Sequence, residues 1–84
     1  MRIVWTKAAW DQYVTWQDRR MVRRINRLID DIQRDDDSAI GKPELLRGEL
    51  TGFASRRINE EHRLVYRVRH GDIEIISCRW HYEK

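Results

Sequence analysis

The chain has 84 residues, with 17 lysines and arginines against 14 aspartates and glutamates, for a formal net charge of +3. A chain this short buries only about 60% of the surface its unfolded form exposes, which argues against multidomain and cofactor-cradling architectures and predicts one domain over residues 1–84. Charged residues make up 37% of the sequence, yet four tryptophans, three tyrosines and a phenylalanine supply the bulky apolar matter that disordered chains lack, so an ordered fold is expected.

The N-terminus carries no apolar stretch of signal-peptide type, and no later run is long enough to cross a bilayer. A cytoplasmic protein of bacterial type with no membrane partner is the expectation. Residues 2–5 alternate polar and apolar just before Thr6, a residue type that caps helices, so a short strand should lead into a helix over about 7–17. Trp10, Tyr13, Val14 and Trp16 recur there at helical spacing, but three large rings exceed what one short helix face can bury. An exposed ring would favour a partner.

Asp18 can cap a second helix, in which Met21, Val22, Ile25, Leu28, Ile29 and Ile32 fall on one stripe and Arg19, Arg20, Arg23, Arg24 and Arg27 cover the remainder. The helix should fade in the acidic run at 35–38, and Gly41-Lys42-Pro43 then breaks the chain into a loop. Beyond the proline the period changes to that of strands, at 53–58, 63–69 and 73–81, split by 59–62 and 70–72. The pattern predicts an α+β fold: an N-terminal strand, a helical hairpin, then an antiparallel meander, with the helices packed on one face of the sheet. Cys78, the only cysteine, excludes an intrachain disulfide and a cysteine-rich zinc site, and should be a small buried hydrophobe.

The second hairpin brings Arg63 opposite residues 78–80, with His81 and Tyr82 just beyond. A two-residue turn sets Arg63 and His81 on opposite faces and a three-residue turn sets them on the same face. His70-Gly71-Asp72 permits either. Glu44 stands in the loop before the sheet, with Arg47 shortly after it. Glutamate, arginine and histidine form a minimal set for cleaving RNA without metal or cofactor: a base for the 2′-hydroxyl, a cation for the phosphorane charge and an acid for the leaving oxygen. Taken singly, each has an ordinary reading. A loop carboxylate is usually solvated, strand arginines such as Arg63, Arg67 and Arg79 pair with acids, and a histidine near a terminus frays. The arginine face of the second helix suits solvent or an anionic partner equally.

Longer strings change that weighing. Lys42-Pro43-Glu44-Leu45-Leu46, the run from Leu50-Thr51-Gly52-Phe53 through Ser55-Arg56-Arg57-Ile58 to His62-Arg63-Leu64-Val65-Tyr66, Ile3-Val4-Trp5 with Trp10-Asp11-Gln12-Tyr13, and Cys78-Arg79-Trp80-His81-Tyr82 together closely resemble the YoeB family of toxins. That family is the mRNA-interferase branch of the RelE/ParE superfamily, and the likeness covers essentially the whole chain. It implies the toxin of a type II toxin–antitoxin pair that cleaves mRNA in the ribosomal A site. Carried over by residue, Glu44 matches the general base, Arg63 the phosphate-stabilising arginine, His81 the general acid and Tyr82 the aromatic beside the scissile nucleotide.

Arg47 and Arg57 match basic positions that approach RNA, with Arg47 replacing a common lysine and so changing the donor geometry. Arg23 and Arg24 are expected to grip ribosomal RNA. The implied partners are the 70S ribosome with its mRNA, an acidic and partly disordered cognate antitoxin, a second copy in a homodimer, and operator DNA through the antitoxin alone. The sequence departs from the family pattern at Glu83-Lys84, which extend past the His-Tyr pair, and in the acidic stretch 35–37. The competing function is that of a ParE-like toxin, which inhibits DNA gyrase by docking and needs no catalytic set.

Overall fold

The computed structural model describes residues 2–34 and 40–79. The elements run β1 (Ile3–Trp5), α1 (Lys7–Val14), α2 (Arg19–Arg34), β2 (Glu44–Leu45), a single 3-10 turn at Gly48–Leu50, β3 (Ala54–Arg57), β4 (Arg63–Arg69) and β5 (Asp72–Ser77). They form one five-stranded sheet in the order β1-β5-β4-β3-β2. β1 runs parallel to β5, and the other neighbours are antiparallel. The expected α+β arrangement, with two helices packed on one face of the sheet, is the one observed. Among the described residues no helix is long and apolar enough to cross a membrane.

Thr6 caps α1 as expected, accepting a hydrogen bond from Ala9 N, while its hydroxyl donates to the Ile76 carbonyl and so ties the helix start to β5. The helix ends at Val14, short of the expected 17, because Thr15 Oγ1 donates back to the Asp11 carbonyl and Trp16 turns toward the sheet. There the Trp16 indole donates to the Cys78 carbonyl and meets the His62 ring edge-on at 4.8 Å. Asp18 starts α2, accepting from Arg20 N through its carboxylate and from Met21 N through its carbonyl. The predicted stripe then packs inward: Ile25, Leu28, Ile29 and Ile32 are buried against Leu64, Tyr66, Ile73 and Ile75. Full burial of each such side chain contributes about 1.5–3 kcal/mol. Cys78 is buried as expected, and desolvation pushes its thiol up to about 11.

Leu64 and Tyr66 on β4 face the helices, so alternation puts Arg63, Val65, Arg67 and Arg69 on the opposite face. The β4–β5 turn has two residues, His70 and Gly71, both with positive φ as a type I′ turn requires. The register is Arg69↔Asp72 through Tyr66↔Ile75, then slips by one residue to Val65↔Ser77. Carried on in that register, position 79 falls opposite Arg63, inside the expected span. Residues 80–81 of the expected last strand, and the acidic stretch 35–37, lie outside the described residues.

Candidate active site

One expectation is corrected at once: Glu44 is in a strand and not in a loop. β2 is only two residues long, and it pairs with β3 through Glu44↔Ser55 and Leu45↔Ala54. Ser55 in turn pairs with Val65, and Arg57 with Arg63. The register therefore assembles two rows across the face of the sheet away from the helices. Glu44, Ser55, Val65 and Ser77 form one row, and Arg57 and Arg63 belong to the next.

Arg63 reaches from its row into the first. Its Nε donates to Ser55 Oγ at 2.8 Å, and its Nη2 donates to the Lys42 carbonyl at 3.2 Å and lies 3.4 Å from Glu44 Oε1. The two ends of the pair differ in exposure, with 18% of the Arg63 side chain accessible against 67% of Glu44. A fixed cation thus stands beside an open carboxylate. That arrangement can accept a proton at the carboxylate while holding negative charge at the guanidinium.

The chain before Glu44 is fastened at three successive residues. Ile40 N donates to Asp31 Oδ2 at 3.2 Å, and its carbonyl accepts from Arg56 Nη1 at 3.2 Å. The Gly41 carbonyl accepts from Arg57 N at 2.6 Å, and the Lys42 carbonyl accepts from Arg63. Gly41 has φ +85°, and a Cβ there would stand 2.7 Å from Leu28 Cδ2, so the segment lies directly on α2. Lys42 also sits in the left-handed region at φ 51°, backbone strain next to the candidate base. Beneath the segment, Arg56 Nη1 donates to Asp31 Oδ2 at 2.5 Å and Arg56 Nε to Tyr66 Oη at 3.0 Å. Sequence reading missed Ser55, Asp31 and Arg56. Strand alternation offered a signal for Ser55, whereas Asp31 beside Asp30 reads as helix surface.

The other expected residues are placed as follows. Arg57 is exposed beside Arg63, and its carbonyl accepts from Arg24 Nη2 at 3.5 Å, so Arg24 leans toward the site instead of facing solvent outright. Arg47 is exposed at the start of the 3-10 turn, three residues past Glu44. Arg23 is exposed on α2, and the structure does not bring it to the Glu44–Arg63 pair. His81 and Tyr82 lie outside the described residues. Arg79, just before them, is clamped: it donates to the Gln12 carbonyl at 2.9 Å and to Thr15 Oγ1 at 3.0 Å, and lies 4.2 Å from the centre of the Trp16 ring. Trp10, packed edge-on to Trp5 at 5.5 Å, remains 47% exposed, the surplus ring expected for α1.

Comparison with known proteins gives a consistent outcome. A family model described as YoeB-like toxin of bacterial type II toxin-antitoxin system matches residues 5–82. The toxin YoeB of Escherichia coli (strain K12) is 49% identical over 84 residues, covering 98% of this chain and 100% of its own. A solved YoeB/ParE toxin from Agrobacterium tumefaciens superposes with a TM-score of 0.92 at 48% identity, over 98% of this chain and 100% of that one. YoeB of Staphylococcus aureus superposes with a TM-score of 0.89 at 45% identity, over 98% of both chains, and has been solved both as a dimer and in a heterotetrameric complex with YefM.

Proposed function

The chain belongs to the YoeB-like toxins of bacterial type II toxin-antitoxin systems, and from that premise we propose that it is a ribosome-dependent endoribonuclease, cutting mRNA in the A site without a metal. The single observation that carries this reading is the open Glu44 carboxylate 3.4 Å from an Arg63 guanidinium that Ser55 and the Lys42 carbonyl hold in place.

Glu44 takes the proton of the 2′-hydroxyl, and the oxygen so formed attacks the adjacent phosphorus in line. The bond from phosphorus to the 5′-oxygen breaks, and His81 gives that oxygen its proton. The products are a 2′,3′-cyclic phosphate upstream and a 5′-hydroxyl downstream. Arg63 stabilises the added negative charge. Its Nη1 makes none of the bonds to Ser55, Lys42 or Glu44 and is left for a phosphate oxygen. The role of His81 rests on the family resemblance, and an imidazole suits an acid that works near neutrality. Tyr82 stacks beside the scissile nucleotide, while Arg47, Arg57, Arg24 and Arg23 meet the RNA phosphates.

In the same reading a cognate antitoxin with an acidic, partly disordered segment covers the Glu44–Arg63 face, as a partner of YefM type, and contacts operator DNA. The toxin pairs with a second copy of itself. Support for the antitoxin and the dimer comes from the S. aureus relative, solved in both forms.

The test is to add the purified protein to ribosomes programmed with a defined mRNA and to map the ends of the fragments. A cut in the A-site codon with phosphate on the upstream end is expected, and Glu44→Gln should abolish it. A 3′-hydroxyl upstream would overturn the 2′-hydroxyl mechanism in favour of attack by water. Intact message together with inhibited gyrase would turn the reading to a docking toxin.

A further inference from the structure

The open face of the sheet continues past the Glu44–Ser55 row. Two residues along the strands, about 7 Å away, lies a row that the reading above does not use: Phe53, Arg67 and Glu74. The Phe53 carbonyl accepts from Leu46 N at 2.9 Å, which fixes the phenylalanine to the strand that carries Glu44. The Arg67 guanidinium carbon lies 4.6 Å from the centre of the Phe53 ring. On its other side Arg67 Nε donates to Glu74 Oε1 at 2.5 Å, and Arg69 Nη2 stands 3.6 Å from the second oxygen of the same carboxylate. The hydrogen bond from Arg67, helped by the charges of both arginines, holds the Glu74 carboxyl below its ordinary value against desolvation.

We infer that this row is a stacking subsite: Phe53 with Arg67 takes the base of a nucleotide flanking the cleaved bond, and Arg69 meets the phosphate beyond it. The inference rests on the proposed reading that the Glu44–Arg63 face binds single-stranded RNA. Three observations carry it. The spacing of about two residues, roughly 7 Å, is that of neighbouring phosphates in an extended single strand, so a chain bent into the Glu44 row presents its next nucleotide here. The guanidinium already lies over a ring and is tethered by Glu74, so little side-chain entropy remains to be lost when a base stacks there. The charge is complementary: Arg57, Arg63, Arg67 and Arg69 outnumber Glu44 and Glu74 on this face, and the neighbouring Asp72 is engaged by Arg2 on the far edge. A guanidinium–ring layer accepts any base by its π face, so the subsite favours the presence of a base over its identity.

The experiment compares single-turnover cleavage of two ribosome-bound messages, identical except that one has an abasic nucleotide beside the cut, tested on each side in turn. Wild-type protein should cut the message with the base on the order of 10- to 100-fold more efficiently in kcat/KM. Arg67→Gln and Phe53→Leu should erase that preference on one side while cutting the abasic message at the wild-type rate, because Glu44 and Arg63 are untouched. Arg67→Lys should keep only part of it, since a lysine supplies charge without a plane. The preference is a ratio within each variant, so any loss of folded protein cancels.

A preference that survives in both Arg67→Gln and Phe53→Leu overturns the subsite while leaving the nuclease reading intact. So does a finding that these variants lose affinity only for the antitoxin, which makes the row a protein-docking surface. Failure of the wild-type protein to cut either message sinks the nuclease reading and the subsite together.

Discussion

Asp31–Arg56 and Glu44–Arg63 are the same chemical pair, placed on opposite faces of the sheet within one strand's width of each other. Arg56 points from β3 toward the helices and meets Asp31 at 2.5 Å, with 11% and 3% of the two side chains accessible. Arg63 is tied to β3 from the other face and stands 3.4 Å from a Glu44 side chain that is 67% accessible. In the first pair the named partners, Ile40 and Tyr66 among them, are internal, and the charges serve to fix one arrangement of helix, loop and sheet. In the second the arginine is held and the carboxylate is free to meet something else. The two pairs differ in access: both members of the first are shut away from solvent, whereas the carboxylate of the second is open to it.

The sharpest way to break the comparison is to neutralise each pair and ask what is lost. Glu44→Gln and Arg63→Met should lower single-turnover cleavage about 10²- to 10⁴-fold, while the thermal midpoint stays within a few degrees, because a half-exposed pair contributes only about 0–1 kcal/mol to stability. Rates near wild type in both variants would make this pair as structural as the first.

Arg56→Met is the converse. It takes the guanidinium away from a buried carboxylate and should cost about 3–5 kcal/mol of stability, and each kilocalorie moves the midpoint by about 4–8 °C in a domain this small. Adding Asp31→Leu to that variant should recover part of the loss, since the buried negative charge is then gone. Additive losses in the double variant would mean that the two residues do not act as a pair.

Gly41→Ala probes the link between the two faces. It forces φ +85° on a residue with a Cβ and presses that atom to 2.7 Å from Leu28 Cδ2, a flexible side-chain end. A stability loss of about 1–3 kcal/mol follows. The Lys42 carbonyl that braces Arg63 is the next residue on, so cleavage should fall by roughly 10-fold or more. Loss of stability with an unchanged rate in the folded fraction would show that the fastening of residues 40–42 does not govern the geometry at Glu44.

How far this division could be read in the sequence follows from the length of each signal. The α2 stripe from Met21 to Ile32 repeats over three turns, and the alternation of β4 runs over seven residues, so both were legible. Period two also places Arg67 and Arg69 beside Arg63, a clue that the single-site reading passed over. β2 has two residues, too few for any period, and Glu44 therefore read as loop. The β4–β5 bulge left no mark, because a one-residue slip shows only in the pairing. Asp31 is the hardest case: a charged helix residue is exposed by default, and its burial depends on Arg56, 25 positions later.

The smallest expected effect belongs to a pair that is neither buried nor at the site. Asp72 accepts from the Arg2 side chain and backbone at the junction of β1 and β5. The side-chain bond, then the backbone one, holds its carboxyl below the ordinary 3.8. A carboxyl depressed in the folded state contributes stability that is present above the unfolded value and is lost as pH falls through the folded one. Glu74, depressed from 4.5 by Arg67, acts in the same direction. Stability should therefore be level from about pH 7 to 5 and decline below about pH 4. Asp72→Asn should lower the midpoint slightly at neutral pH and make the acid decline shallower by the same small amount, so that the two proteins converge at low pH, as read from thermal melts across that range. The contrast with Arg56→Met is one of size: the exposed pair contributes a small amount at neutral pH that is lost as its carboxyl titrates, whereas loss of the buried pair is large. An acid decline identical with and without Asp72 would assign the whole of it to other carboxylates and leave the β1 edge held by its backbone ladder alone.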